Sequence, residues 1–228
     1  MTEDHPYFLI PGFSQTPPAW ADVVDALPPG RQAEALTVPL GLDFHQTAAH
    51  LAGERRGTWA GYSMGGRLAL QIAIDHPAVV DKLALISSTA GIADQPTRDR
   101  RRLQDDELAA WIETNGTEAF LERWLARPLF AGLDREGARR HRLRSASEVA
   151  GQLRRLGQGV QLPLWDRLAG VVVPVAVVAG EQDTTYSLIA AAMASAIGPN
   201  ATLHIVPGAG HALLLEKPDL VAGILSNL

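Results

Sequence analysis

A tight glycine turn between two apolar segments constrains the fold of this chain more than any other feature. The turn reads Gly61-Tyr62-Ser63-Met64-Gly65. A G-x-S-x-G turn between a strand and a helix holds its serine at a strained backbone angle, and a side chain at either glycine would collide with the neighbouring strand or helix. The motif therefore predicts a strand, a sharp turn and a helix, with Ser63 as a candidate catalytic residue. Because a glycine-rich chain also produces such a motif by chance, the interpretation needs support from elsewhere.

Two later segments supply the partners that a reactive serine needs, in the order serine, acid, histidine. Residues 175–179 form an apolar run that predicts a buried parallel strand, and Asp183 follows its carboxyl end. Residues 201–206 predict the last strand, and the loop after it carries His211. An imidazole takes the proton of a serine hydroxyl and a carboxylate fixes its tautomer, which predicts a Ser63, Asp183, His211 triad. Taken singly, Asp183 is equally explained as a helix N-cap and His211 as a loop histidine.

The remaining hydrophobic pattern alternates between strand and helix. Predicted strands lie at 7–10, 33–38 and 82–86, and predicted helices at 17–27, 44–52 and 64–75. Residues 95–168 contain no convincing strand and predict helices at 105–114, 117–126 and 135–156. The pattern predicts an α/β fold with a mostly parallel sheet and helices on both faces.

The order of the motifs is typical of the α/β-hydrolase fold, which inserts a helical cap just before the strand that carries the acid. We therefore predict a hydrolase-fold core formed by residues 1–94 and 169–228, with a helical cap at 95–168. In this fold two backbone N–H groups stabilise developing negative charge, one after the serine and one in the loop after the first strand. Here these oxyanion-hole residues are Met64 and Phe13.

Composition limits the classes of function. The chain has 228 residues, no cysteine and a formal net charge of -5, which suits one domain and excludes disulfides and thiolate metal sites. We predict no metal and no cofactor, because no phosphate-binding glycine loop follows the first strand and no metal-ligand spacing occurs. The acidic balance argues against nucleic acid as a partner. The polar, acidic start and the lack of a membrane-spanning stretch predict a cytoplasmic protein without membrane insertion.

Positive charge is concentrated in the predicted cap. Of the 20 Lys and Arg, 13 fall between Arg98 and Arg155, all of them arginine, against 10 Asp and Glu. This stretch therefore carries a net charge of +3, whereas the rest of the chain carries -8. Most of these arginines are expected on a solvated helix surface in ion pairs, and a few are expected to face the active site.

Beyond these general features, the chain resembles the 2-succinyl-6-hydroxy-2,4-cyclohexadiene-1-carboxylate synthases, lyases of the menaquinone pathway with an α/β-hydrolase fold. The resemblance extends over nearly the whole chain. It is carried by the turn residues 61–70, with a tyrosine before the serine and an arginine four positions after it, and by cap motifs at 101–106, 120–124, 128–130, 139–145, 157–159 and 164–165.

The resemblance implies that the triad acts as a base, removing a ring proton from a substrate with three carboxylates so that pyruvate leaves by elimination. By position it implies that Arg67, Arg101 and Arg144 bind the substrate, since an arginine fork binds a carboxylate bidentately. It also implies that Tyr62 and Trp124 line the pocket. Surface or cap cations remain the alternative for the arginines, and packing residues for the two aromatics. We further expect an Arg67→Ala variant to lose at least about ten-fold in catalytic efficiency with its fold intact.

Three loops depart from the family pattern. Pro11-Gly12 precedes Phe13 where the family usually has His-Gly, residues 39–42 read Pro-Leu-Gly-Leu instead of Pro-Gly-His-Gly, and no basic residue directly follows Asp183. Three functions therefore stay open: the lyase, an ester or thioester hydrolase with an acyl-enzyme on the serine, and a non-catalytic binding protein that has kept the fold. The sequence does not predict an oligomeric state.

Overall fold

The computed structural model describes residues 5–130, 133–143 and 145–228, and in this part of the chain six strands form one sheet. The strands are β1 (Tyr7–Ile10), β2 (Ala33–Ala35), β3 (Gly57–Tyr62), β4 (Val80–Ile86), β5 (Val175–Gly180) and β6 (Ala201–Val206). Their order is β2-β1-β3-β4-β5-β6, and every neighbouring pair is parallel. The predicted parallel sheet is confirmed, although β2 ends three residues earlier than predicted.

Helices cover both faces of this sheet. They are α1 (Ala21–Asp25), α2 (Phe44–Ala52), α3 (Met64–Asp75), α4 (Gln95–Leu125), α5 (Arg135–Arg139), α6 (Ala146–Leu156), α7 (Thr184–Ile197), α8 (Leu213–Glu216) and α9 (Pro218–Asn227). Side chains alternate along β1, so Phe8 and Ile10 pack with α2, α3 and α7, whereas Tyr7 and Leu9 pack with α1, α8 and α9. Both faces of a parallel sheet must be covered in this way, because its strands are apolar on both sides.

The strand order determines where a crevice forms at the sheet. The chain moves from β1 outward to β2 and then returns past β1 to β3, so the direction of strand addition reverses between β1 and β3. In open parallel sheets, a crevice forms beyond the carboxyl ends of the strands at such a reversal. The serine turn directly follows β3 and therefore lies at this crevice.

Helices α4, α5 and α6 lie between β4 and β5, within the segment predicted to be the cap. Helices α4 and α6 bury an apolar cluster of their own, separate from the two sheet clusters. The predicted helices at 105–114 and 117–126 are parts of α4, which begins earlier, at Gln95, and is kinked at Gly116, where φ is 84°. None of the helices in the described ranges has the length and apolar character that crossing a bilayer requires.

Two helix predictions are wrong in detail. The predicted helix at 135–156 is interrupted between α5 and α6, because Arg142 leaves the helical path and forms an antiparallel bridge with Gln15. Local propensity alone gave no reason to expect this pairing with a loop far away in the sequence. The predicted helix at 17–27 is a 3-10 turn (Pro17–Trp20) followed by the short α1.

Candidate active site

The serine turn has the strained geometry that its sequence predicts. Ser63 lies in the left-handed region, with φ of 53° and ψ of -109°, and its N–H donates to the Ile86 carbonyl oxygen at 2.8 Å. A Cβ on Gly61 would meet the Gly65 carbonyl oxygen, and a Cβ on Gly65 would meet the Ile10 carbonyl oxygen. Because both obstacles are backbone atoms, these positions accept only glycine. The turn thus holds the serine hydroxyl beyond the carboxyl end of β3, a central strand of the sheet.

The structure brings the three predicted triad residues together. His211 Nδ1 lies 2.6 Å from Asp183 Oδ2, and His211 Nε2 lies 3.3 Å from Ser63 Oγ. The acid and the histidine are buried, whereas the serine is partly exposed. Asp183 also accepts a hydrogen bond on Oδ1 from the Tyr186 N–H at 3.3 Å, as N-cap of α7. Asp183 is thus the N-cap of α7 through Oδ1, while Oδ2 lies where the triad prediction requires it, beside His211.

Residues that the sequence did not reveal hold the imidazole in place. The carboxylate of Glu216 accepts hydrogen bonds from the Gly210 and Ala212 N–H groups, at 2.6 and 2.9 Å. The Tyr186 ring meets the His211 ring edge-on, with centroids 4.6 Å apart. No motif in the sequence pointed to Glu216 or Tyr186. Glu216 holds the backbone on either side of His211, and Tyr186 packs against its ring, and both contacts depend on the tertiary fold.

A cavity of about 590 Å³ opens above the serine, between the strand ends and the helices that follow β4. Among the residues expected to bind substrate or to form the oxyanion hole, those lining it are Phe13, Tyr62, Met64, Arg67, Arg101 and Trp124. Arg144, the remaining one, lies outside the described residues. Arginines 127 and 142, which the sequence did not single out, also line this cavity. Burial raises the pKa of the Tyr62 hydroxyl, which is therefore neutral at physiological pH.

The two predicted oxyanion donors differ in how they are held. Met64 is the first residue of α3, so its N–H is among those that lack an intrahelical acceptor, at the positive end of the helix dipole. Phe13 belongs to an irregular loop that follows β1. This loop includes Ser14, which has a φ of 59° and so needs support from outside the loop.

That support comes from the segment around α6. The Leu143 N–H donates to the Ser14 carbonyl oxygen, and the Ser14 N–H donates to Gln152 Oε1, both at 2.7 Å. Arg142 Nη1 donates to the Phe13 carbonyl oxygen and to Ser14 Oγ, both at 3.0 Å. We call Arg142 and Gln152 the loop clamp. Burial lowers the pKa of Arg142 to about 10, so it remains charged at neutral pH.

The Arg67 guanidinium is buried, and both of its terminal nitrogens already donate hydrogen bonds. Arg67 Nη2 donates to the Leu156 carbonyl oxygen at 2.6 Å, and Nη1 donates to Gln161 Oε1 at 3.1 Å and to the Gly157 carbonyl oxygen at 3.4 Å. Burial lowers its pKa to about 10, which leaves it charged. Arg67 is therefore not a surface cation, and it joins α3 to the carboxyl end of α6.

This geometry changes the expectation that an Arg67 variant keeps its fold intact. Because Arg67 bonds to the end of α6, we expect its removal to destabilise the fold. We expect an Arg67→Met variant to lose about 2–4 kcal/mol of unfolding free energy, since buried acceptors at the end of α6 would lose their donor. Urea unfolding measures the loss, and Arg100→Met, at an exposed position of α4, is the matched control. Equal stability of both variants would contradict the structural role of Arg67.

Comparison with known proteins places this fold in a family. A model of the Alpha/beta hydrolase family matches residues 7–224. A putative 2-succinyl-6-hydroxy-2,4-cyclohexadiene-1-carboxylate synthase of Bacillus subtilis (strain 168) is 36% identical over 174 residues, covering 73% of this chain and 63% of that protein. The synthase of Enterobacter sp. (strain 638) is 30% identical over 172 residues, covering 74% of this chain and 64% of that protein. The matches thus span slightly less than two thirds of the length of these relatives, and the resemblance to the synthases is confirmed.

Solved structures agree on the fold. The structure of MenH from S. aureus has a TM-score of 0.88 and 25% sequence identity, covering 100% of this chain and 94% of that one. A thermophilic esterase from Thermogutta terrifontis, solved with malate bound, has a TM-score of 0.81 and 22% identity, covering 98% and 88% of the two chains. The second likeness concerns the fold alone. The chain belongs to the alpha/beta hydrolase family.

Proposed function

We propose that this protein is a carbon–oxygen lyase of the menaquinone pathway. Its substrate would be 2-succinyl-5-enolpyruvyl-6-hydroxy-3-cyclohexene-1-carboxylate, from which it eliminates pyruvate to give 2-succinyl-6-hydroxy-2,4-cyclohexadiene-1-carboxylate. The similarity to proteins named as synthases of this product supports the proposal. The enzyme would act in the cytoplasm on a small polycarboxylate, without a cofactor.

The observation that carries the proposal is the charge of the cavity wall. Four arginines line the cavity above the serine, at positions 67, 101, 127 and 142, and no Asp or Glu lines it among the described residues. A wall with this charge favours a substrate with several carboxylates, and a low-dielectric surrounding strengthens the attraction. An ester hydrolase for neutral substrates has no physical need for such a wall.

The triad would act as the base. His211 Nε2 takes the proton of the Ser63 hydroxyl, and Ser63 Oγ removes the proton from ring carbon 2, which lies next to the succinyl carbonyl. Asp183 stabilises the imidazolium that results. The electrons of the broken C–H bond form the double bond between carbons 2 and 3. The former double bond between carbons 3 and 4 moves to carbons 4 and 5, and the bond from carbon 5 to the enolpyruvyl oxygen breaks.

The oxyanion donors would stabilise this step. Negative charge from carbon 2 would spread onto the succinyl carbonyl oxygen, and the Met64 and Phe13 N–H groups would donate hydrogen bonds to that oxygen. The departing pyruvate leaves as its enolate and takes up the proton held by His211. The serine is regenerated without an acyl-enzyme, so atoms and charge balance over the cycle.

The same triad suits a second candidate function. Contact between Ser63 Oγ and His211 Nε2 at 3.3 Å is the geometry that an ester or thioester hydrolase needs to form an acyl-enzyme. Such a hydrolase would accumulate a covalent adduct on the serine with a slow ester substrate. A non-catalytic binding protein, by contrast, has no need for a complete triad.

Pyruvate release tests the proposal directly. The protein is mixed with the proposed substrate, and pyruvate is followed through lactate dehydrogenase and NADH absorbance, with p-nitrophenyl esters assayed in parallel. We expect fast pyruvate release, slow ester turnover and no covalent adduct by intact-protein mass spectrometry. Ester turnover with an acyl-enzyme and no pyruvate from the proposed substrate would refute the lyase and favour the hydrolase.

A further inference from the structure

The arginines that line the catalytic cavity differ in how many of their N–H groups are already bonded. Arg67 and Arg142 donate to neighbouring backbone and side-chain oxygens, and Arg101 donates to Asp105 Oδ1 at 2.8 Å and to a glutamine side chain at 3.2 Å. The side chain of Arg127 makes no hydrogen bond or ion pair with any residue in the described ranges. Bidentate binding of a carboxylate needs two N–H groups that are not already bonded. Of the four arginines that line the cavity, Arg127 therefore has the most N–H groups available for a carboxylate.

Aromatic packing fixes the position of Arg127 without using these N–H groups. Its Cζ lies 4.0 Å from the centroid of the Trp124 ring. That ring is in turn held by Phe13 and Phe130, with centroid distances of 5.3 and 6.2 Å. A guanidinium that stacks on an aromatic face directs its N–H groups outward in its own plane, where a carboxylate can approach. The Arg127 side chain is therefore a preorganised donor, and none of the described residues accepts a hydrogen bond from it.

The electrostatic surroundings of Arg127 also favour an anion. Burial lowers its pKa, and the neighbouring charges of Arg101 and Arg123 lower it further, whereas Asp105 opposes them. The guanidinium group is so strongly basic that arginines in proteins stay protonated at neutral pH. Repulsion among the three guanidinium groups is relieved when a negative group binds between them.

A second cavity of about 490 Å³ adjoins the catalytic one and shares Arg101, Trp124 and Arg127 with it. Arg123 lines only this second cavity, where its Cζ lies 5.0 Å from the centroid of the Trp111 ring. Asp105 and Glu107 line it as well, and Asp105 is paired with Arg101. Arg127 thus stands at the boundary between the two cavities.

We propose that Arg127 forms a carboxylate-binding site at this boundary and selects substrates that carry an acidic group away from the reacting carbon. The inference rests on the proposed function for the identity of the substrate, but the site itself requires only a carboxylate. Since the side chain of Arg127 makes no hydrogen bond to any other described part of the fold, its replacement should change affinity rather than stability.

Binding of tricarballylate, a compound with three carboxylates, tests the site independently of catalysis. Isothermal titration calorimetry at low ionic strength compares the wild type with Arg127→Leu, and with Arg100→Leu, at an exposed position of α4 that lines neither of the two cavities, as a matched control. We expect the Kd for tricarballylate to rise about ten-fold or more in Arg127→Leu and to change less than about two-fold in Arg100→Leu. Absence of binding to the wild type, or equal losses in both variants, would overturn the proposal.

Kinetics then separate this inference from the proposed lyase activity. In Arg127→Leu the KM for the proposed substrate should rise about ten-fold while kcat is nearly retained, because a distant carboxylate contact is the same in ground and transition states. Pyruvate release with an unchanged KM would refute the Arg127 site alone. Tricarballylate binding that depends on Arg127, in a protein that releases no pyruvate, would support the site and refute the lyase.

Discussion

Replacement of Ser63 by alanine is expected to lower kcat for pyruvate release by on the order of 10³-fold or more. The reason is that the Ser63 hydroxyl is the group within hydrogen-bonding distance of His211 Nε2, so its loss removes the proton transfer to the imidazole. The lactate dehydrogenase assay measures the loss, and circular dichroism confirms that the variant is folded. A Ser63→Ala protein with near wild-type kcat would rule out the triad as the base.

A glycine at the same position separates catalysis from backbone strain. The φ of 53° and ψ of -109° at Ser63 disfavour any residue with a Cβ, at a cost of about 1–3 kcal/mol. Ser63→Gly should therefore be as inactive as Ser63→Ala but more stable than it, by about 1 kcal/mol in urea unfolding. If the glycine variant is no more stable than the alanine variant, the turn stores no strain.

Loss of the loop clamp should produce the second large effect. We expect Arg142→Met to lower kcat by on the order of 10²-fold, because the loop that carries the Phe13 N–H would lose its bonds to Phe13 O and Ser14 Oγ, and one oxyanion donor would be misplaced. The KM should change much less, since the affected charge develops only in the transition state. Steady-state kinetics on the folded variant, well below its unfolding temperature, measure both parameters.

Two further variants make this prediction specific. Arg140→Met removes an exposed arginine two residues away and should leave kcat within about two-fold of the wild type. Arg142→Lys keeps the charge but supplies fewer donors, so it should recover part of the lost activity. If Arg142→Met is less stable but has an unchanged kcat, the clamp is purely structural and the oxyanion loop does not depend on it.

The clamp also bears on the role of the helices between β4 and β5. Helices α4 and α6 line the cavity, and Gln152 of α6, together with Arg142 and Leu143 before it, also holds the loop of the predicted oxyanion donor. A displacement of α6 would therefore disturb this loop as well as open the cavity. We thus expect α6 and the two residues Arg142 and Leu143 to contribute to catalysis rather than only to cover the cavity.

Local patterns in the sequence were sufficient to predict the parallel sheet and the positions of Ser63, Asp183 and His211 along it. The glycines at 61 and 65, the apolar strands and the order of Ser63, Asp183 and His211 predicted a parallel sheet with three reactive groups at one edge, and their geometry agrees. These features are encoded locally, because a strand period, a glycine turn and a residue at a strand end each depend on a few neighbours. Because the strands are parallel, their carboxyl ends then lie along the same edge of the sheet.

Only the tertiary structure decided which polar groups are engaged and which are free. Nothing local distinguishes Arg142, which bonds to a loop 129 residues away, from Arg140 two positions before it. Nor does anything local distinguish Arg67, which donates three hydrogen bonds, from Arg127, whose side chain donates none to the described residues. These differences arise from burial and from contacts between distant segments, where an unpaired buried donor or acceptor is costly. The sequence by itself determined the fold family and the order of Ser63, Asp183 and His211, whereas long-range packing determined how the loop that carries Phe13 is held and which arginine N–H groups are already bonded.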